Sequence, residues 1–358
     1  MPYLRSAFTP TTGSTIMIKT TSSSFFNNEV TLTDGTTTLT SSFDADGVCI
    51  FSNVFLTGEL TASSVNGSNV IGEVINIPHV GVTIMRNAIV ASTTLNDNSW
   101  STIQAIAKKG SGAAYWNVGD RKQIKLTGSV RIGGGGYGYN LYVFILGFNH
   151  NQEKEGTAIH FQIGFSTLTG GGFLCGLQPS NYGTRTGTDS GFSMNDSNTN
   201  AGGWASCAMR TVIMPQVKAN LPSDLQSVLK AVTKYTDNVG GAGNVESNIT
   251  ATQDEIFLIG SSEIYPDYIL SNPYEKKYQK QYSYFALGNS RVTYKYPSSE
   301  PKSSNIVKYW FRSPKTNSGY YFCYQNNSDY DASNPSYGLS ANSMADVSYH
   351  INPIFTVG

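Results

Sequence analysis

Short runs that alternate apolar and polar residues, each closed by a glycine-containing turn, limit what the first part of this chain can fold into. Glu29-Val30-Thr31-Leu32-Thr33 alternates with a period of two, Asp34-Gly35 follows, and residues 36–43 read as the returning strand. Successive strand side chains point to opposite faces, so the pattern is that of a half-buried strand. Asp-Gly is the turn chemistry of a tight hairpin, because glycine reaches positive φ without strain. Asp44-Ala45-Asp46-Gly47 marks a second turn, and residues 14–20, 48–51 and 58–62 read as further strands. A small β-sandwich over residues 1–66 is expected. Residues 67–97, with apolar stretches at 70–77 and 80–84, read as a connector with one or two strands.

The pattern changes at about residue 98. Trp100, Ile103, Ile106 and Ala107 fall at helical spacing before Gly110, and Leu141–Phe148 is a nearly continuous apolar run that reads as a buried strand. A short helix is expected over residues 206–214. Leu225, Val228, Leu229 and Val232 recur at i, i+3, i+4 and i+7, with Ser223 and Gln226 spaced for a capping box, so a second helix is expected there. Strands are expected at 254–260, 282–287, 307–311, 320–324 and 351–357. The fold class read from these signals is mostly β, with an α+β C-terminal domain over residues 98–358 carrying two or three short helices.

Charged residues make up 13% of the 358, about half the usual share, and 24 basic residues balance 24 acidic ones. That balance leaves no electrostatic footprint for nucleic acid. No stretch approaches the ~18 apolar residues of a membrane-spanning helix, and the N-terminus lacks a leader pattern, so no membrane insertion is expected. The four cysteines, Cys49, Cys175, Cys207 and Cys323, show no metal-binding spacing and read as buried thiols. The 22 tyrosines suit either strands or contact surfaces.

Two resemblances add to this. Asp34-Gly35-Thr36, Gly47 with Phe51, Asn53-Val54, and Gly58 with Leu60 and Ala62 resemble transthyretin-like and collagen-adhesin B-type modules, which implies a spacer or anchor. Some such modules carry Lys–Asn isopeptide bonds, and Lys19 is the only lysine before Lys108. Further on, the ordered motifs Val118-Gly119-Asp120, Gly147-Phe148-Asn149-His150, Gly202-Gly203-Trp204 with Ser206 and Met209-Arg210, Val232-Thr233-Lys234, Ser262-Glu263-Ile264 and Trp310-Phe311-Arg312-Ser313-Pro314 resemble an uncharacterised domain family. That family occurs in surface proteins of Gram-positive bacteria and in their phages. A looser likeness runs to the C-type-lectin-like fold. The resemblance implies a phage virion protein, a tail or head appendage or fibre, with a C-terminal domain for host-surface glycan recognition. The N-terminal module would contact other virion proteins, and a homo-oligomer is expected. The alternatives are a capsid or tail decoration protein, a virion enzyme that degrades cell wall, and location on a bacterial surface.

No catalytic motif stands out, and an enzyme is not expected. The candidate ligand-binding residues are Tyr274, Tyr278, Tyr282, Tyr320, Tyr324, Asn326, Asp329 and Tyr330, since tyrosine stacking with Asn/Asp hydrogen bonding suits a shallow saccharide site. Lys276, Lys277 and Lys280 among the first three tyrosines offer contact with an anionic polymer, or a solvated edge. Arg210 and Arg312 are either ligand contacts or structural ties to Asp120, Asp254 or Glu263. His150 and His160 near Glu153 and Glu155 would make a metal site only if three or four ligands converge. No cofactor is expected, the alternative being a calcium loop at Asn326, Asn327, Asp329 and Asp331.

Overall fold

Alternation along the first strands decides the first unit's core. The computed structural model describes residues 13–20, 23–56, 60–66, 69–75, 77, 81–84, 91–127, 140–165, 174–176, 192–241, 243–267, 270–295, 306–326, 339–345 and 349–358. Two units result, Met1–Ser92 and Thr93–Gly358. The first contains β1 (Ser14–Lys19), β2 (Glu29–Thr33), β3 (Thr38–Ser42), β4 (Val48–Val54), β5 (Thr61–Asn66), β6 (Asn69–Ile75) and β7 (Gly81–Ile84). They form two sheets, in the orders β4-β1-β7 and β3-β2-β5-β6. Ile16 and Ile18 from the first and Val30 and Leu32 from the second meet Phe25, Phe43, Phe51 and Leu60 in one apolar core, a β-sandwich-like arrangement.

The hairpin after β2 has a longer turn than its Asp-Gly pair predicts. Thr33 pairs with Thr38, so four residues lie between the strands. Asp34 Oδ1 accepts the backbone N–H groups of Thr36 (2.9 Å) and Thr37 (2.8 Å), an Asx turn that delays the returning strand by two residues. The segment read as a connector supplies β6 and β7, which pair with β5 and β1. The Lys19 side chain is exposed at the end of β1.

The second unit holds β8 (Arg121–Lys125), β9 (Asn140–Phe148), β10 (Ile159–Phe165), β11 (Leu174–Gly176), β12 (Val232–Asp237), β13 (Ile249–Asp254), β14 (Ile256–Phe257), β15 (Thr293–Lys295), β16 (Ile306–Val307), β17 (Tyr309–Pro314), β18 (Tyr321–Gln325), β19 (Leu339–Met344) and β20 (Ile354–Val357). An antiparallel sheet in the order β14-β20-β10-β9-β8 is its frame. Both faces of this sheet are covered, which is why β9 is apolar from Leu141 onward. On one face Trp100 packs edge-on against Phe161 (5.4 Å) and Phe355 (6.0 Å). On the other Tyr284 lies 4.6 Å from Phe144.

Trp100 rides on the helix Trp100–Lys108, whose N-cap Ser99 Oγ accepts the Thr102 N–H at 3.1 Å. Ser99→Ala is expected to lower stability by about 1 kcal/mol in chemical denaturation, the usual worth of such a cap.

Two expected elements take another form. Leu225–Val232 is not one helix: the helical turn stops at Gln226, the Leu229 backbone bridges to Val357, and Lys230 N–H bonds the Thr356 carbonyl (2.9 Å). The last strand thus draws the chain out of the helix, and Leu225 in the helical turn, Val228 after it and Val232 in β12 are all buried although they lie on different elements. Pro222, not Ser223, stands at the N-cap, so no capping box forms. Residues 283–286 are a helical turn rather than a strand, because the Phe285 and Ala286 N–H groups both bond the Tyr282 carbonyl (3.0 Å each).

Candidate functional site

The chemistry of the second unit begins on β12. Val232, Lys234 and Thr236 face inward and Tyr235 outward, so one strand links a buried ion cluster to a surface.

Lys234 Nζ is fully buried. It donates to Glu155 Oε1 (2.9 Å) and Oε2 (3.1 Å), Glu263 Oε1 (3.1 Å) and Tyr282 OH (3.1 Å). Arg312 Nη1 donates to Glu263 Oε2 (2.5 Å) and to the Leu258 carbonyl (2.9 Å), and its Nε to Thr236 Oγ1 (3.0 Å). Two cations therefore face two carboxylates in a space without water contact. Burial alone raises the Glu263 carboxyl, but Arg312, Lys234 and His150 outweigh it and hold it well below the usual carboxylate range.

His150 stacks on Tyr282 (3.7 Å between ring centres), and its Nε2 lies 3.6 Å from Glu263 Oε1. His160 Nε2 lies 3.6 Å from Glu155 Oε2. Burial first, and the Lys234 charge with it, lowers the pKa of both imidazoles, so they are neutral at neutral pH. His150, Glu155 and Glu263 bring ligand atoms within 4.8 Å of one another, a set that could hold a metal ion. Glu153 of the expected metal set is exposed and stands outside it. Lys234 already places a positive charge against both carboxylates, whereas His150 Nε2 and His160 Nε2 are buried without a hydrogen-bond partner among the described residues.

The Trp204 and Arg210 motif is a clamp on one carboxylate. Trp204 Nε1 donates to Asp254 Oδ2 (3.0 Å) and Arg210 Nε to Asp254 Oδ1 (2.6 Å). Arg210 leaves a π-helical turn, Met209–Ile213, beside an open cleft of about 360 Å³ that Met214, Lys218, Glu255 and Ile256 also line. Lys218 pairs with Glu255 across it. The carboxylates that a catalytic reading would use, Asp254, Glu255 and Glu263, are thus all held in ion pairs.

Outside the ion cluster lies a lysine–tyrosine face. Tyr235 stacks on Tyr278 at 4.9 Å, and Lys154 Nζ sits 5.2 and 5.4 Å from the two ring centres. Asn151, Glu153, Lys154, Lys277, Tyr278 and Lys280 surround a notch of about 70 Å³. Its two walls are tied to the interior. Asn151 Nδ2 donates to Glu155 Oε1 (3.1 Å) while its Oδ1 accepts the Lys280 N–H (3.1 Å). On the 3-10 turn Pro273–Lys277, the buried Glu275 accepts from Ser313 Oγ (2.7 Å), Ser271 Oγ (3.1 Å) and the Asp237 N–H (3.1 Å). Glu246 extends the face by pairing with Lys277 (2.7 Å) and accepting from Tyr278 OH (3.1 Å).

The expected ligand residues divide among several places. Tyr274 and Tyr278 are half-buried members of this face. The loop after β12 joins them to Tyr320: Asn272 Nδ2 donates to the Val245 carbonyl (2.9 Å), and Thr316 Oγ1 donates to Asn244 Oδ1 (2.7 Å) at the turn that carries Tyr320. Tyr320, Val239 and Val245 are exposed there. Tyr282 does not belong to any surface; it is wholly buried, as part of the ion cluster. Tyr324 is also buried, within ring contact of Trp310 and Tyr349. Asn326 is half-buried after β18, whereas Asn327, Asp329, Tyr330 and Asp331, and with them the calcium loop, lie outside the described residues. Sequence reasoning missed Lys154 and Tyr235. The outward alternation of Tyr235 opposite Lys234 was the available signal.

The fold class defined by these elements is mostly β within α+β, built from several small sheets and short helices. Residues 185–358 are similar to a family described as a domain of unknown function (DUF6273). The structural unit is larger than that match: it starts at Thr93, and β20 inside the match pairs with β10 before it. No curated protein and no solved structure matches the chain.

Proposed function

We propose that this chain is a non-catalytic recognition protein of a virion, an appendage whose second unit binds host-surface glycan at the lysine–tyrosine face. The observation that carries the reading is the stacked Tyr235–Tyr278 pair under Lys154, beside the notch. Aromatic planes bind the apolar faces of sugar rings while flanking ammonium and amide groups bond hydroxyls. Buried carboxylates on both supporting turns fix this face before any ligand arrives, which reduces the ordering cost of binding. The candidate carboxylates being held in ion pairs favours recognition over cell-wall cleavage. In this reading the second unit is a C-type-lectin-like domain of the kind found in Gram-positive surface proteins and their phages. The first is a transthyretin-like or collagen-adhesin-like module that anchors to other virion proteins, in a homo-oligomer.

The test is binding of the full chain to purified cell walls and to a glycan array. Tyr278→Ala is expected to weaken binding about tenfold, since an aromatic contact of this kind is worth roughly 1–1.5 kcal/mol. Absence of binding to any wall or glycan would favour a decoration protein, and release of soluble fragments from peptidoglycan would favour the enzyme.

A further inference from the structure

We infer that the notch between residues 151–154 and 277–280 takes one oxyanion, so that the glycan bound is a polyanion rather than a neutral chain. The inference rests on the recognition reading and adds the ligand's charge to it.

Three lysines, Lys154, Lys277 and Lys280, line the notch, against one lining carboxylate, Glu153. All four side chains are exposed. Glu246 offsets Lys277 from outside the lining. Lys154 and Lys280 have no ion pair among the described residues, and Lys154 lies over the two tyrosine rings, which hold it at the notch rim. The charge is local: the chain as a whole is neutral, so a cluster of lysines in one notch stands out against its surroundings. A notch this small, about 70 Å³, suits a compact charged group, a single phosphate or carboxylate, better than a whole sugar ring. A ring attached to that anion would fall on the adjoining Tyr278 face. The ligand chemistry is therefore an oxyanion repeated along a polyhydroxylated chain, either a phosphodiester polymer or a uronic acid polymer. Exposed ion pairs are individually weak and screened by salt, so tight attachment through this notch requires several copies acting on one polymer.

The test uses the full chain with three probes of similar length: poly(glycerol phosphate), polygalacturonate and neutral dextran. Binding is measured at low and at high salt. Either polyanion is expected to bind and dextran not to. The phosphate and carboxylate arms show which source supplies the anion. Lys154→Ala with Lys280→Ala is expected to weaken polyanion binding about five- to thirtyfold at low salt. Lys125→Ala, an exposed lysine that pairs with Asn140 at the start of β9, far from residue 151, is the control. Both changes lie on exposed side chains, and an unchanged unfolding midpoint excludes misfolding. Equal binding of dextran and the polyanions, or polyanion binding that neither salt nor the double variant reduces, overturns the oxyanion site. Continued binding of host walls in that case leaves the recognition reading standing. Loss of wall binding by the unaltered chain overturns both.

Discussion

Lys234→Met is expected to destabilise the second unit by roughly 3–5 kcal/mol, the usual cost of removing one partner from a buried ion pair. Methionine keeps most of the volume and reach of the lysine stem, so the loss reports charge rather than a cavity. Without the ammonium, Glu155 loses two of the hydrogen bonds it accepts, and Glu263 keeps Arg312 alone as a cationic partner. The readout is convenient because all four tryptophans, Trp100, Trp116, Trp204 and Trp310, lie in residues 93–358. Tryptophan fluorescence in a denaturant titration therefore follows this unit, even though the chain as a whole need not unfold in one step. Adding Glu155→Gln to Lys234→Met is expected to recover part of the loss, because it removes the charge that the first change strands. A Lys234→Met protein as stable as the original would show that the cluster is not an ion network in solution. The consequence for recognition is indirect: Asn151, which ties Lys280 to Glu155, would lose its fixed partner, and the notch would loosen.

The strands were the most legible part of the fold. Glu29–Thr33 and Leu141–Phe148 carry their burial in their composition, one alternating, one apolar on both faces. The Leu225–Val232 pattern misled because helical spacing also arises when separate elements bury successive residues, and only backbone bonds from the last strand distinguish the two. The ion cluster was hidden for a different reason. A lysine in a strand is by default a surface residue, and Lys234 is turned inward by carboxylates 79 and 29 residues away. The signal was nonetheless present: Lys234 shares a strand face with Val232, a core residue. Arg210 and Arg312 pair with Asp254 and Glu263, two of the three acidic residues that the sequence offers as structural ties. The tyrosines divided by local geometry, since Tyr274 and Tyr278 lie on an outward turn whereas Tyr282 begins a turn packed against the main sheet.

Glu275 provides the second large expected effect, and its sign is opposite to that of most buried carboxylates. It lies in the turn that carries Tyr274, Lys276 and Lys277. Burial pushes its carboxyl up to about 7, against hydrogen bonds from Ser313, the Asp237 backbone and Ser271 and against the nearby Arg312 charge. A carboxyl whose folded pKa exceeds its unfolded value holds its proton more tightly when folded. Its contribution is therefore fully present below pH ~4.5 and is lost as pH rises through about 7. With 1.36 kcal/mol per unit, the loss between pH 5 and 8 is about 2.5 kcal/mol. Glu275→Gln keeps the shape and removes the titration, so the stability of the variant relative to the original is expected to rise by about that amount from pH 5 to 8. Three groups of the ion cluster act in the other direction in the original and the variant alike. The depressed imidazoles of His150 and His160 lose stability as pH falls below 6.5, and Glu263 loses it as pH falls below the usual carboxylate range. All three cancel in the difference, which leaves Glu275 as the group measured. Denaturant titrations of the two proteins across that range decide it, and a difference that stays flat with pH would mean that Glu275 is ionised throughout. The same ionisation bears on the recognition face. Above pH 7 the turn under Tyr274 and Lys277 is held by a buried carboxylate at a cost, so this turn is the part of the face whose local opening becomes easier as pH rises.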